Sequence, residues 1–163
     1  MKKTLVLVAL LAGLASAAFA QNKKALLIYD EDNKESAPYR AALASELREV
    51  GFYCEVTSVA KLSTQDLAHC DLVVIYSIVM AFASKSPLRD WLKSGPDLAG
   101  RKVAILVTAN RWKLSDLYKQ QLDLLAKRRA DVVDSVSAAT KNLTQADKDA
   151  LIRDFAKSIN ARL

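Results

Sequence analysis

Residues 71–108 read DLVVIYSIVMAFASKSPLRDWLKSGPDLAGRKVAILVT. Two β-branched apolar runs, Asp71–Ser77 and Val103–Thr108, bracket the stretch. Neither alternates polar with apolar residues, so each predicts a strand covered on both faces. Between them Pro87 can open a helix, since its missing N–H costs nothing in a first turn, and Gly95-Pro96 stops it. Residues 78–86 read as a loop. A covered strand, a helix and another covered strand make the repeating unit of a parallel sheet.

The same unit recurs outward. Ala25–Asp30 is a buried-type strand. Ser36 is placed to cap a helix with Pro38 in its first turn. Tyr39, Leu43, Leu47 and Val50 recur at helical spacing, and Gly51 ends that helix as a C′ residue does. Phe52–Thr57 is a second strand, and Ser63-Thr64-Gln65-Asp66 caps a short helix. Ser115 begins a helix with Leu117, Leu124 and Leu125 on one face. Asp131–Val136 is a fifth strand, and Thr144-Gln145-Ala146-Asp147 caps a last helix carrying Leu151, Ile152, Phe155 and Ile159. Five strands each followed by a helix predict an α/β three-layer sandwich. Its five-stranded parallel sheet has the order 2-1-3-4-5, with helices on both faces. Ligands of such sheets bind beyond the carboxyl ends of the strands, near the switch between strands one and three. Five loops meet there: Asp30–Ser36, Ser58–Leu62, Ser77–Ser86, Thr108–Lys113 and Ser137–Asn142. His69 and Cys70 fall at the opposite rim.

The chain opens on Lys2 and Lys3, an apolar stretch too short to span a bilayer, and the A-x-A pattern Ala18-Phe19-Ala20. This predicts a cleaved signal peptide over 1–20, cut between Ala20 and Gln21, and one periplasmic domain over 21–163. No second apolar span follows, so no membrane-spanning segment is expected after cleavage. The formal net charge is +6, and two of those charges leave with Lys2 and Lys3. The remaining basic residues are scattered. The one run, Lys127-Arg128-Arg129, reads as a solvated helix end, where cations suit the dipole, so nucleic acid is not an expected partner. Cys54 and Cys70 could pair in an oxidising compartment or remain two small buried thiols. The strand expected between them favours thiols. His69 is the single histidine and lies at the wrong rim for a Ser-His-Asp hydrolase. No metal site is expected, and a hydrolase is disfavoured.

With these elements placed, the chain resembles a flavodoxin. The resemblance rests on the ALLIY strand, the helix ending ASELREVGF, and residues 71–108. It implies a flavodoxin-like fold and flavin mononucleotide (FMN) bound for electron transfer with a redox partner protein. It places Ser36, Ser77, Thr108 and Asn110 against the cofactor. It offers Met80, Phe82 and Trp112 for stacking on the ring, the alternative being ordinary packing under loops. Arg111, Lys113 and Lys141 add positive charge to that rim.

The departure lies in the first loop. The family's phosphate-binding pattern, S/T-x-T-G-x-T, falls on Glu31-Asp32-Asn33-Lys34-Glu35-Ser36, where only Ser36 matches. Lys34 replaces the glycine that permits close backbone approach. Each nearby carboxylate would repel a phosphate by about 1–4 kcal/mol, against about 0.3–1 kcal/mol returned by a helix N-terminus. Asp30-Glu31-Asp32 resembles the acidic clusters of haloacid-dehalogenase-type phosphatases and response-regulator receivers. Those need a further acid where Ser77 or Thr108-Ala109-Asn110 stands. The acidic loop therefore reads as a solvated segment at a helix N-terminus.

A second stretch, Val133–Thr140, reads VDSVSAAT. It resembles the acceptor site D-x-x-S/T-G-A-T/S of exported flavoproteins, onto which a flavin transferase esterifies FMN. On that resemblance Asp134 is the acid, Ser137 the hydroxyl, Ala139 the small residue and Thr140 the acceptor, while Ala138 replaces the usual glycine. A phosphoester at Thr140 would hold a flavin without the phosphate loop. The competing expectation is a cofactor-free flavodoxin-like binding module.

Overall fold

The computed structural model describes residues 23–79, 86–110 and 114–163. The leader 1–20 and the ring candidates Met80, Phe82 and Trp112, with Arg111 and Lys113, lie outside the described residues. In chain order the elements are β1 (Lys24–Tyr29), α1 (Ala37–Glu49), β2 (Tyr53–Ser58), α2 (Thr64–Ala68) and β3 (Leu72–Val79). There follow α3 (Pro87–Ser94), β4 (Lys102–Ala109), α4 (Leu114–Lys127), β5 (Asp131–Ala139) and α5 (Gln145–Ala161). The sheet is parallel throughout in the order β2-β1-β3-β4-β5, as the spacing predicts.

Side-chain alternation along each strand divides the core into two layers. Ala25 and Leu27 of β1, Val74 and Tyr76 of β3, and Leu106 of β4 pack under α1 and α5. Leu26, Ile28, Ile75 and Ile105 pack under α2, α3 and α4. The inner strands are buried on both faces, which is why they carry no alternation in the sequence. Each fully buried Leu or Ile in these layers is worth about 1.5–3 kcal/mol of transfer free energy. β5 is an edge strand and more open. A bulge opposite Val103/Ala104 inserts Val133 as an extra residue. Beyond it Asp134, Val136 and Ala138 face the α1/α5 side, and Ser135 and Ser137 the α4 side, where Tyr118 donates to Ser135 Oγ.

Several ends differ from the sequence reading. β3 continues to Val79 and β5 to Ala139, because Ile78 and Val79 pair with Thr108 and Ala109, which in turn pair with Ala138 and Ala139. Ser137 is thus a strand residue and not a loop residue, and Ser77, the last residue of the predicted strand, is followed by two more strand residues. Ser63 and Asp66, and Thr144 and Asp147, form the two expected reciprocal caps. Ser36 occupies the N-cap position of α1 but makes no side-chain cap. Its hydroxyl donates weakly to the Glu31 and Asn33 carbonyls, while Asn33 Oδ1 accepts from Ser36 N. Cys54 and Cys70 are free thiols, consistent with β1 lying between β2 and β3.

The run Lys127-Arg128-Arg129 is not a uniformly solvated helix end. Arg128 is 8% exposed, and its Nη1 donates to the Trp91 and Leu92 carbonyls at 3.0 and 3.3 Å. Its guanidinium also lies 5.6 Å from the centre of the Trp91 ring. It therefore ties α4 to the carbonyl end of α3, where Gly95 is needed because a Cβ would stand 2.6 Å from Trp91 O. Arg129 takes left-handed backbone and pairs with Asp97. Replacing Arg128 with Ala is expected to lower unfolding free energy in urea by about 2–3 kcal/mol. The exposed Lys127→Ala change should stay within about 0.5 kcal/mol.

Candidate functional site

The carboxyl ends of β1, β3, β4 and β5 form one rim, and the pleat sorts its residues between two faces. On the α1/α5 face lies a cavity of about 690 Å³. Its walls are Tyr39 and Ala42 of α1, Ile78 of β3 and Ile152 of α5, and its lip carries Asn110 and Thr140. Lys34, Lys141 and Lys148 also line it, with Glu35 and Asp149. None of the three lysines lies in an ion pair among the described residues. Asp149 accepts from Gln145 Nε2. On the α3/α4 face a smaller cavity of about 100 Å³ is bordered by Asp30, Asn33, Ser77, Ser86 and Gln121.

The acidic loop separates these two spaces, and two of its four carboxylates, Asp30 and Asp32, are structural. Asp30 continues the β1 alternation onto the α3 side. Its Oδ2 accepts from Ser86 Oγ at 2.6 Å and its Oδ1 from Leu88 N at 3.0 Å. Ser86 Oγ accepts from Arg89 N, and Pro87 has no N–H to satisfy. Asp30 and Ser86 together close the N-terminus of α3 across 56 residues of chain. Asp32 turns the other way. It accepts from Tyr29 Oη and from Arg40 Nη1, both at 2.8 Å, and the Arg40 guanidinium stands 3.8 Å over the Tyr29 ring. The Tyr29 hydroxyl and the Arg40 guanidinium hold the Asp32 carboxyl below its ordinary pKa. Burial raises that of Tyr29, as does its bond to the Asp32 carboxylate. At the start of α1, Ser36 N donates to Asn33 Oδ1 and Ala37 N to Asn33 O. Pro38 has no N–H. At these three positions the head of α1 offers an anion no free N–H.

The residues expected at a cofactor are placed as follows. Thr140 lines the large cavity; its N–H and Oγ1 both donate to Ala109 O, at 2.8 and 3.2 Å. Asn110 lines the same cavity and is exposed. Thr108 is buried one layer below, 3.0 Å from the Tyr76 hydroxyl. Ser77 is buried on the other face, where Gln121 Nε2 donates to its Oγ at 2.8 Å. Ser36 is buried with its hydroxyl turned to the loop backbone. Ser137 faces α4, opposite to Thr140 across the strand. Asp134 lies six residues before Thr140, about 20 Å along an extended strand at ~3.3 Å per residue. It is buried and stands 3.7 Å from Arg162. The strand therefore brings neither Asp134 nor Ser137 to the Thr140 hydroxyl.

Two groups at the cavity were not singled out by the motifs. Tyr39 reads as a core position of α1 in the sequence. It is half-buried at the cavity and stacks on Tyr76, with ring centres 5.8 Å apart and planes at 16°. Lys148 follows the Thr144 cap by one turn, which places it over the loop carrying Thr140. That spacing was the available signal.

No family model and no curated protein sequence matches the chain. Solved structures do. A Streptococcus pneumoniae TIGR4 flavodoxin superposes with a TM-score of 0.71 at 10% identity, over 86% of this chain and 99% of that one. Oxidised flavodoxin 2 from Bacillus cereus gives 0.67 at 16% identity, over 86% and 99%. Two-electron reduced flavodoxin from Megasphaera elsdenii gives 0.58 at 14%, over 81% and 98%. The fold is flavodoxin-like, and at these identities the likeness is one of fold.

Asp30→Ala should cost about 1–2 kcal/mol of stability through loss of the α3 cap, read by urea unfolding. Because its folded pKa is depressed, Asp32 contributes stability above the ordinary carboxylate pKa that is lost as pH falls through the folded value. Asp32→Asn should flatten the acid limb of the melting temperature below about pH 4.

Proposed function

We propose that this chain is an exported FMN-binding electron-transfer protein whose flavin occupies the large rim cavity, attached through Thr140. The observation that carries the reading is the position of Thr140. Thr140 lines a cavity of about 690 Å³, within the ~300–1,000 Å³ of small-molecule sites, and its Oγ1 donates to Ala109 O there. The cavity joins an apolar wall to three lysines and two carboxylates, Glu35 and Asp149, and Lys141 and Lys148 on the Thr140 side suit the anionic tail of a flavin. At the head of α1, by contrast, the Ser36 and Ala37 N–H groups are bonded to Asn33 and Pro38 has none, and the neighbouring carboxylates disfavour a phosphate. The flavodoxins that share the fold have been solved oxidised and two-electron reduced, which supports redox work. When bound, FMN supplies the electron transfer, and the protein sets its potential through stacking and nearby charge.

Attachment requires a transferase carrying an activated flavin nucleotide. A bond forms between Thr140 Oγ and the flavin phosphorus, the bond from phosphorus to its leaving group breaks, and the hydroxyl proton goes with that group. No electrons change hands. The leader ending Ala18-Phe19-Ala20 supports delivery to the periplasm, where a covalent tether keeps a scarce cofactor from being lost. A redox protein of that compartment would be the partner.

The test is expression of the full chain in a host with a periplasmic flavin transferase, followed by intact mass and visible spectrum. The expected product begins at Gln21, is yellow, and is heavier by FMN less one water. Thr140→Ala should abolish the added mass, and Ser137→Ala should leave it. Colourless protein of unmodified mass, even after soaking in FMN, would overturn the reading in favour of a cofactor-free binding module.

A further inference from the structure

We propose that the flavin lies on the α1/α5 face of the rim, its ring system against Tyr39 and its phosphate beside Thr140, Lys141 and Lys148. The inference rests on the FMN reading and adds which residues hold each end. Three independent observations lead to it.

The first is space. Of the rim cavities bordered by described residues, the one on the α3/α4 face holds about 100 Å³, too little for a tricyclic ring, and the one on the α1/α5 face about 690 Å³. The second is charge. Asp30 and Asp32 are bound to the protein's own donors, whereas Lys34, Lys141 and Lys148 reach the large cavity with no ion-pair partner among the described residues. An anionic group gains most at the lysines and least beside the loop. Lys141 and Lys148 flank the loop that carries Thr140, so the anionic end belongs there.

The third is a prepared aromatic platform. Tyr39 stacks on the fully buried Tyr76, and the Tyr76 hydroxyl is 3.0 Å from Thr108 Oγ1. Stacking takes one face of the Tyr39 ring. Tyr39 and Ile78 both line the cavity, so the ring face that Tyr76 leaves uncovered is the one a ligand there would meet. A ring already held in place by a buried partner loses little freedom when a flat ligand lies on it. Offset stacking on such a ring then strengthens binding beyond simple burial. Tyr39 thereby becomes the specificity-determining contact for the isoalloxazine.

The experiment uses the mature chain with FMN and with riboflavin, which has the same ring and no phosphate. Emission of the bound flavin is followed for wild type, Tyr39→Phe, Tyr39→Leu and Lys148→Glu. A tyrosine in contact donates an electron to the excited flavin and quenches it. Wild type should therefore be quenched, and both Tyr39 variants brighter with longer lifetimes. Tyr39→Leu should weaken riboflavin by about 3- to 10-fold, and the better-stacking Tyr39→Phe by less. Lys148→Glu should weaken FMN by about 3- to 10-fold and leave riboflavin unchanged. Where the flavin is ester-linked, the emission lifetimes alone decide whether Tyr39 touches the ring. Circular dichroism confirms that each variant folds. Flavin bound to wild type with emission and affinity unaltered in Tyr39→Leu would overturn this placement and leave the FMN reading standing. Failure of wild type to take flavin by either route would overturn both.

Discussion

The pleat of the sheet sends successive side chains to opposite faces, and at the tip of β1 that alternation organises the whole rim. Tyr29 goes to the α1/α5 side and Asp30 to the α3 side. From there Asp30 reaches Ser86 and Leu88 and closes the start of α3. On the other side Tyr29 meets Asp32 and Arg40 and so holds the first turns of α1. One strand end thus fixes the helices that follow β1 and β3, which is where a doubly wound sheet opens its crevice. A one-residue slip would exchange these partners and leave the Leu88 N–H at the head of α3 without its acceptor.

This arrangement also decides where charge is free. An acidic loop at the head of a helix would, as an isolated sequence, repel anions from the entire rim. In the folded chain Asp30 is engaged by one helix N-terminus and Asp32 by an arginine and a tyrosine hydroxyl. Among the described residues, Lys34, Lys141 and Lys148 line one cavity outside any ion pair, beside Glu35 and Asp149. The rim is therefore uneven. One side is closed by hydrogen bonds around a small void, and the other is roomy, apolar at its base and cationic at its lip. Asn33 occupies the first N–H groups at the head of α1, and the larger space lies beside them on the α1/α5 face.

Much of this was legible before folding. The uninterrupted runs LVVIY and VAILV announce strands covered on both faces, and the observed order β2-β1-β3-β4-β5 follows from their alternation with helices. The caps at Ser63 and Thr144 are local patterns and form as read. Other features were hidden for physical reasons. The last residues of β3 and β5, Ile78, Val79 and Ser137–Ala139, are strand only because each neighbour continues alongside. Ser36 looks like a cap, but Asn33 bonds its N–H first and Pro38 removes a donor that a cap would take. Arg128 sits in a basic run that reads as solvated, yet the end of α3 faces it across the packing seam. Tyr39 has the spacing of a core residue, and nothing local shows that the core stops at a cavity beside it.

The sequence by itself determined the periodicities, the short-range caps and the chemical types available at the rim, because these depend on residues a few positions apart. Only the tertiary structure decided which face each rim residue serves, that Asp30 would answer the helix beginning at Pro87, and that Thr140, Tyr39 and Lys148 would share one cavity while Asp134 and Ser137 would not. Those outcomes depend on strand order, register and one bulge in β5. They couple positions tens to more than a hundred residues apart, and no local spacing encodes them.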